Sequence, residues 1–343
     1  MAMEKVALDW GNLGYGYTRT DYNYLSSWKD GAWDAGRLTT ENTITISIGS
    51  NALHYGQECF EGLKAQTARD GRVLLFRPDQ NAKRMSASAR GILMPEVPEA
   101  KFIDACIRLV RANLRWVPPY GTGASLYIRP FEFGHGDNLG ARPASEYLFC
   151  AYCSPVGPYF KGGFKPITIC VADEDRAAPR GTGHLKVGGN YAAGLKTREL
   201  AKQAGYDDCL YLDAQHRTFI DELGGANFFG VTKDGVIITP NSPSILPSIT
   251  RRSVVEIARA YLGLTVEERP VPLAEISEFV EAGACGTASI ITPIGGIAHE
   301  GKLRTFYGGG KEAGPVTKRL YETLTAIQRG EHDAPAGWLV ACE

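Results

Sequence analysis

Three Asp-Gly dipeptides, Asp30-Gly31, Asp70-Gly71 and Asp234-Gly235, each stand between two strand-like runs. Asp-Gly supplies the positive φ angles of a two-residue hairpin turn, so each pair calls for two antiparallel strands joined tightly. Helical stretches lie among these hairpins rather than after every strand. DQNAKRMSASARG follows Pro78 and stops at Gly91. VPEAKFIDACIRLVRANLRWVPP repeats Ile103, Cys106, Val110 and Leu114 at helical spacing, opens at Pro98 and closes at Pro118-Pro119. Two strands follow, ASLYIRPFEFG and SEYLFCAYC, then a proline- and glycine-rich stretch, SPVGPYFKGGFKP.

The second half begins with the strand ITICVAD and passes through APRGTGHLKVGGN into a helix, YAAGLKTRELAKQAG. Two hairpins come next, then the helix SITRRSVVEIARAYLG and the strand LTVEERPV. LAEISEFVEAG reads as a helix, ACGTASIITPIGG as a strand, and PVTKRLYETLTAIQRG as a final helix. Strands and helices mix without regular alternation. The expected class is therefore α+β, two mixed α/β domains rather than one doubly wound sheet. The length of 343 residues also suggests about two domains. The expected boundaries are a smaller domain over 1–153, a connecting loop over 154–166 and a larger domain over 167–343.

Charge removes one class of partner. A net charge of −1 lacks the basic excess of a domain that binds nucleic acid. The first residues, MAMEKVALDWGNLGYG, show no secretory leader, and no apolar run approaches the ~18 residues of a membrane helix. The eight cysteines are irregularly spaced, mostly within apolar runs, which suits reduced thiols in the cytoplasm. Cys150 and Cys153 form a C-x-x-C on a strand, where positions three apart face opposite sides, and no second pair completes a metal site. No metal is expected.

Forty glycines are well above the usual ~7% and invite a search for a phosphate loop. Neither nucleotide motif is complete. Thr305 stands where the P-loop preceding Lys311 needs a glycine, and Lys186 stands where the third glycine of a dinucleotide motif belongs. The segment GTGHLKVGGNY instead places one lysine, Lys186, between glycine pairs, just before a helix start. A loop lysine is by default solvated. Here the missing side chains let a flat ligand approach an amine that can form a Schiff base.

HLKVGGNYAAGL (184–195) resembles the cofactor-lysine segment of the branched-chain-amino-acid aminotransferases, which are fold-type IV pyridoxal-phosphate enzymes with the D-amino-acid-aminotransferase-like architecture. HYGQECFEGLKA (54–65), FRPDQNAKRM (76–85), LYIRP (126–130), SPVGPYF (154–160), IDELGGANFF (220–229), LPSITRRS (246–253) and CGTASIITPI (285–294) resemble further family segments in the same order. The resemblance runs from about residue 20 to the C-terminus.

That resemblance implies pyridoxal 5′-phosphate as cofactor, with the larger domain binding it. It makes Lys186 the catalytic lysine, which holds the cofactor as an internal aldimine and shuttles the proton. Glu222 takes the place beside the pyridine nitrogen, with Asp221 as its neighbouring rival, and Tyr191 the place at the phenolic oxygen. Arg84, Ile249, Thr250 and Thr287 match phosphate positions, with Ser248 opening the same helix start. On the substrate side, Tyr55, Phe60 and Tyr127 match the apolar wall, Arg129 the arginine for glutamate's distal carboxylate, and Tyr159 the residue closing the pocket. The N–H groups of Thr287 and Ala288 match the turn that binds the α-carboxylate.

The implied reaction exchanges an amino group between leucine, isoleucine or valine and 2-oxoglutarate in two half-reactions. The substrates are small amino and 2-oxo acids, and a homodimer is implied, with Ala141 near a partner residue. A D-amino-acid transaminase or an aminodeoxychorismate lyase of the same fold is the alternative, against which HYGQECFEGLKA and SPVGPYF argue. Two departures stand out. Ser289 and Thr292 occupy the places of a redox C-x-x-C in mammalian members, so no thiol switch is expected there. Gly225 replaces a threonine that many relatives place near the cofactor ring.

Overall fold

In the computed structural model, which describes residues 4–159 and 163–342, the Asp30-Gly31 turn joins β1 (Asn23–Lys29) to β2 (Ala32–Trp33). Both turn residues have positive φ, as a type I′ hairpin needs. Next come β3 (Arg37–Thr39), the short helix α1 (Asn51–Tyr55), β4 (Glu58–Phe60), and the hairpin of β5 (Leu63–Thr67) and β6 (Val73–Phe76). Helices α2 (Pro78–Gly91) and α3 (Glu99–Ala112) follow, then the long antiparallel pair β7 (Ser125–His135) and β8 (Glu146–Val156). These strands belong to one antiparallel sheet, with β7 and β8 central.

Helix α3 buries Phe102, Ala105, Cys106, Leu109 and Val110, a stripe of helical period that packs with Met85 of α2 and Phe149 of β8. The stripe is centred one residue from the expected one, with Ile103 at its margin and Leu114 in a 3-10 turn beyond the helix. The chain leaves α3 at Asn113. Its side-chain N–H₂ donates to the Leu109 carbonyl, and its oxygen accepts from the backbone of Asp21 and Tyr22. Cys150 and Cys153 point to opposite faces of β8, and all eight cysteines are free thiols.

The second unit holds a nine-stranded sheet of mixed direction: β9 (Ile167–Val171), β10 (Asp208–Leu212), β11 (Ile220–Leu223), β12 (Asn227–Thr232), β13 (Ile237–Pro240), β14 (Val266–Arg269), β15 (Phe279–Gly286), β16 (Ile290–His299) and β17 (Lys302–Thr305). The strand path β11-β10-β9-β16-β15-β12 is closed into a ring by one further pairing, Glu222 against Asn227. Its helices are α4 (Gly188–Ala193), α5 (Leu195–Gln203), α6 (Ile249–Ala260) and α7 (Pro315–Gln328), the last running on into the first unit's residues. The last strand, β18 (Leu339–Ala341), pairs with β6 of the first sheet.

Three expectations differ from what is found. The helix over 191–205 is two helices, broken at Gly194. LAEISEFVEAG is not a helix: only Leu273–Ser277 makes a 3-10 turn, and Phe279 already starts β15. The reason is tertiary, because Phe279–Gly286 pairs with β12 on one side and β16 on the other, while the Glu281 carboxylate accepts from the backbone N–H groups of Val316 and Thr317 and from the Thr317 hydroxyl, capping α7. ACGTASIITPIGG is a hairpin rather than one strand, turning at 287–289. The chain also divides differently from the expected boundaries. Met1–Lys161, Leu185–Gly188 and Ala326–Glu343 make one unit, and Gly162–His184 with Gly189–Thr325 the other. The expected loop at 154–166 begins as the end of β8, and residues 160–162 of it lie outside the described residues.

Candidate active site

Within the first unit, the backbone of Lys186 is held on both sides. The N–H of Phe60 donates to its carbonyl at 3.0 Å, and its own N–H donates to Ser88 Oγ at 2.9 Å. Val187 bridges to Cys59, and the Gly188 N–H donates to Glu58 Oε1. Leu185 and Val187 are buried in the core of this unit, so alternation directs the Lys186 side chain the other way, with Nζ 4.7 Å from the centroid of the Phe60 ring. Two glycines let side chains pack closely against this seat. A Cβ on Gly188 would overlap the Glu58 carboxylate, and one on Gly91 would meet Leu185 at 2.5 Å. Gly91 is therefore more than a helix stop.

Arg84, expected at a phosphate, is engaged by a residue the sequence reading did not single out. Its Nε and Nη2 donate to Oε1 and Oε2 of Glu61 at 2.6 and 2.9 Å, with both side chains buried. Asn81 Nδ2 and the Gly62 N–H complete the cradle at 2.7 and 3.1 Å. Burial pushes the Glu61 carboxyl up, but the Arg84 guanidinium, with Lys186 and Asn81, outweighs it and holds the group below the usual carboxylate range. A charged residue inside the apolar run around Cys59 and Leu63 was the available signal, since such residues are rarely buried unless paired.

Strand alternation places Tyr127 and Arg129 on one face of β7. The Arg129 guanidinium carbon lies 4.7 Å from the Phe60 ring centroid and 5.3 Å from that of Tyr127, and Nη2 donates to Tyr127 Oη at 3.2 Å. Tyr15, another residue the sequence reading missed, stands edge-on to both Tyr127 and Tyr159, at 5.7 and 5.1 Å. Phe60, Tyr127, Arg129 and Tyr159 thus join one cluster. Tyr55 does not show contact with it: half-exposed, it donates to the carbonyl of Leu139.

Within the second unit, Glu222 occupies the pairing that closes the ring of strands. Asn227 Nδ2 donates to its Oε2, and the Leu246 N–H lies 3.3 Å from both oxygens. Arg176 Nε is 2.8 Å from Oε1, a charge pair without an aligned hydrogen bond, while Nη2 ties down the carbonyls of Gly183 and Ser244. Asp221 faces away, toward Ser242, and burial pushes its carboxyl up. Neither Asn227 nor Arg176 carried a local signal, because the partners meet only through the closed sheet.

Tyr191 lies in α4, after Asn190, whose side chain exchanges hydrogen bonds with Thr182 at 2.8 Å. Ser248 caps α6 by accepting from the Arg251 N–H at 3.2 Å, so Ile249 and Thr250 form the buried first turn of a twelve-residue helix. Thr287 and Ala288 sit in the turn between β15 and β16. The turn closes on Ile290 at φ 60°, a strained value for a β-branched residue, and within it Ser289 Oγ is buried with no hydrogen-bond partner. Among the described residues, no cluster of His, Cys, Asp or Glu is arranged to hold a metal ion.

Residues 58–297 match the family described as Amino-transferase class IV. The branched-chain-amino-acid aminotransferase of Haemophilus influenzae is 53% identical over 98% of this chain and 99% of its own length. Among solved structures, the Escherichia coli branched-chain amino acid aminotransferase superposes with a TM-score of 0.79 at 28% identity, covering 94% of this chain and all of its own. The branched-chain amino acid aminotransferase of Thermobaculum terrenum, solved in its PLP-bound holo-form, gives 0.77 at 26% identity over 95% of this chain and 99% of its own. With a relative of 53% identity over nearly the whole length of both chains and a family match over residues 58–297, this chain belongs to the branched-chain-amino-acid aminotransferases of class IV.

Proposed function

We propose that this chain transfers the amino group between branched-chain L-amino acids and 2-oxoglutarate, using pyridoxal 5′-phosphate bound to Lys186. The observation that carries this reading is the pairing on Phe60. One lysine amine and one guanidinium lie 4.7 Å from the same ring centroid, so they are no farther apart than twice that distance. That bound admits a dicarboxylate whose amino-bearing carbon meets the amine while its far carboxylate meets Arg129. The flanking rings of Phe60, Tyr127 and Tyr15 suit an aliphatic side chain in the other half-reaction.

The donor set fits the cofactor. The orphaned hydroxyl of Ser289 and the first-turn N–H groups of Ile249 and Thr250 suit an anion, with Thr287 two residues before that serine. In the first unit, Arg84, held by Glu61, carries the phosphate role that the resemblance implies. The Glu222 carboxylate suits a protonated ring nitrogen, and Tyr191 a phenolic oxygen. When bound, the cofactor supplies an electron sink that makes the substrate Cα–H acidic. Lys186 Nζ then takes and returns that proton, Arg129 orients a distal carboxylate, and the N–H groups of Thr287 and Ala288 hold the α-carboxylate.

The test is spectroscopic. The purified protein is expected to be yellow and to lose that band with leucine alone. Lys186→Ala is expected to abolish turnover; retained turnover removes the lysine from this role.

A homodimer and a cytoplasmic location belong to the same proposal. Ile48 and Leu139 are 89% and 91% exposed, on two segments joined by hydrogen bonds from Tyr55 to Leu139 and from Asn138 to Gly49, which suits a partner surface beside Ala141. Light scattering on Leu139→Asp tests it, with a monomer expected. Eight free thiols suit a reducing compartment, and no helix of the described residues is long and apolar enough to cross a membrane.

A further inference from the structure

A pocket that accepts both an aliphatic side chain and a carboxylate must keep its arginine tolerable when no carboxylate is present. Arg129 is mostly buried. Its Nε has no hydrogen-bond partner, and Tyr127 Oη accepts from one of its terminal nitrogens. Among the described residues, no carboxylate lies within ion-pair distance of it. The remaining guanidinium surface rests on Phe60 and Tyr127. A buried cation in this state needs a counter-charge that is close but not in contact, because a contact pair would leave no donor for the substrate.

Glu58 meets that condition. It lies on the same strand face as Phe60, since Cys59 between them points into the core with no exposure. One carboxylate oxygen accepts from the Gly188 N–H, two residues after Lys186. Burial raises the carboxyl on balance, with that N–H and the charge of Arg129 opposing the rise. Glu58 therefore contacts the lysine segment directly and shares a strand face with Phe60, the ring over which Arg129 lies.

Resting on the transaminase reading above, we propose that Glu58 is a positioning residue that sets the balance between the two substrate classes. Its charge offsets Arg129 while an aliphatic side chain fills the pocket and opposes a distal carboxylate when a dicarboxylate arrives. Its hydrogen bond to Gly188 fixes the lysine strand in both cases.

Glu58→Gln keeps an acceptor for Gly188 and removes only the charge. Calorimetry on the holoenzyme would compare glutarate, an unreactive five-carbon dicarboxylate, with 4-methylvalerate, an aliphatic monocarboxylate. The variant is expected to bind glutarate about fivefold tighter, worth about 1 kcal/mol, and 4-methylvalerate more weakly. The ratio of KM values for 2-oxoglutarate and leucine should move the same way. Glu58→Asp keeps the charge but falls short of Gly188. It should lower kcat in both half-reactions while leaving the glutarate to 4-methylvalerate ratio near that of the native protein. If the native protein discriminates between the two acids and Glu58→Gln leaves their ratio unchanged, this proposal is overturned and the transaminase reading stands. If the native protein binds neither acid and converts neither leucine nor glutamate, both fall together.

Discussion

Glu132 is expected to make the first unit less stable as the pH rises through the neutral range. It lies on the core side of β7, fully buried, and neither carboxylate oxygen has a hydrogen-bond partner. Its neighbours across the sheet are Cys59 on β4 and Phe149 on β8, with the Tyr147 hydroxyl also within electrostatic reach. None carries a positive charge, and the Cys59 thiol is itself pushed up by burial and the surrounding carboxylates. Burial pushes the Glu132 carboxyl from 4.5 to about 9, so the folded protein holds this group protonated. Between those values the unfolded chain has released the proton and the folded chain has not. Stability is then fully present below 4.5 and lost by about 1.4 kcal/mol per pH unit until about 9. At pH 7.5 the accumulated loss is about 4 kcal/mol.

Glu132→Gln preserves shape and removes the titration. The two proteins should be within about 1 kcal/mol at pH 5, and the variant should be more stable by about 4 kcal/mol at pH 7.5. Urea denaturation followed by tryptophan fluorescence isolates the relevant unit, because Trp10, Trp28, Trp33, Trp116 and Trp338 all lie in it. The comparison is read from pH 5 to 7.5, below the range in which the Cys59 thiol, pushed up by burial and by the carboxylates around it, ionises. A difference between them that stays flat over that range would refute the reasoning.

Three further outcomes follow from the same geometry. Glu61→Gln leaves the Arg84 guanidinium buried without its counter-charge and should cost about 3–5 kcal/mol in urea denaturation, whereas replacing both residues by neutral ones should cost less than either single change. Gly188→Ala places a methyl group on the Glu58 carboxylate. It should lower kcat through loss of the Glu58 contact to the lysine segment, with a stability cost under about 1 kcal/mol because the carboxylate can swing aside. Mild oxidation should leave turnover unchanged, because Ser289 and Thr292 cannot form a disulfide and burial pushes the nearby Cys285 thiol up to about 12; a reversible loss would show that another thiol matters.

Local chemistry was legible without coordinates wherever a signal is contained in a few adjacent residues. Asp30-Gly31 specifies its hairpin because two positive φ angles are needed there, and Pro78 and Gly91 bound α2 because each acts on its own turn of backbone. Lys186 stood out for the same reason, as an amine between glycines. Partnerships between distant segments were not legible. Glu61 meets Arg84, Arg176 meets Glu222, Glu281 caps a helix far along the chain, and pairing with β12 and β16 makes an apparent helical repeat into β15. Periodicity reports which face of an element is apolar, but not what covers it. Charge makes the difference largest, because a buried carboxylate is tolerable only beside a donor, and folding alone decides which donor arrives. Glu132, where none arrives, and Glu58, where Gly188 does, are both glutamates in apolar strands. Only the tertiary structure separates them.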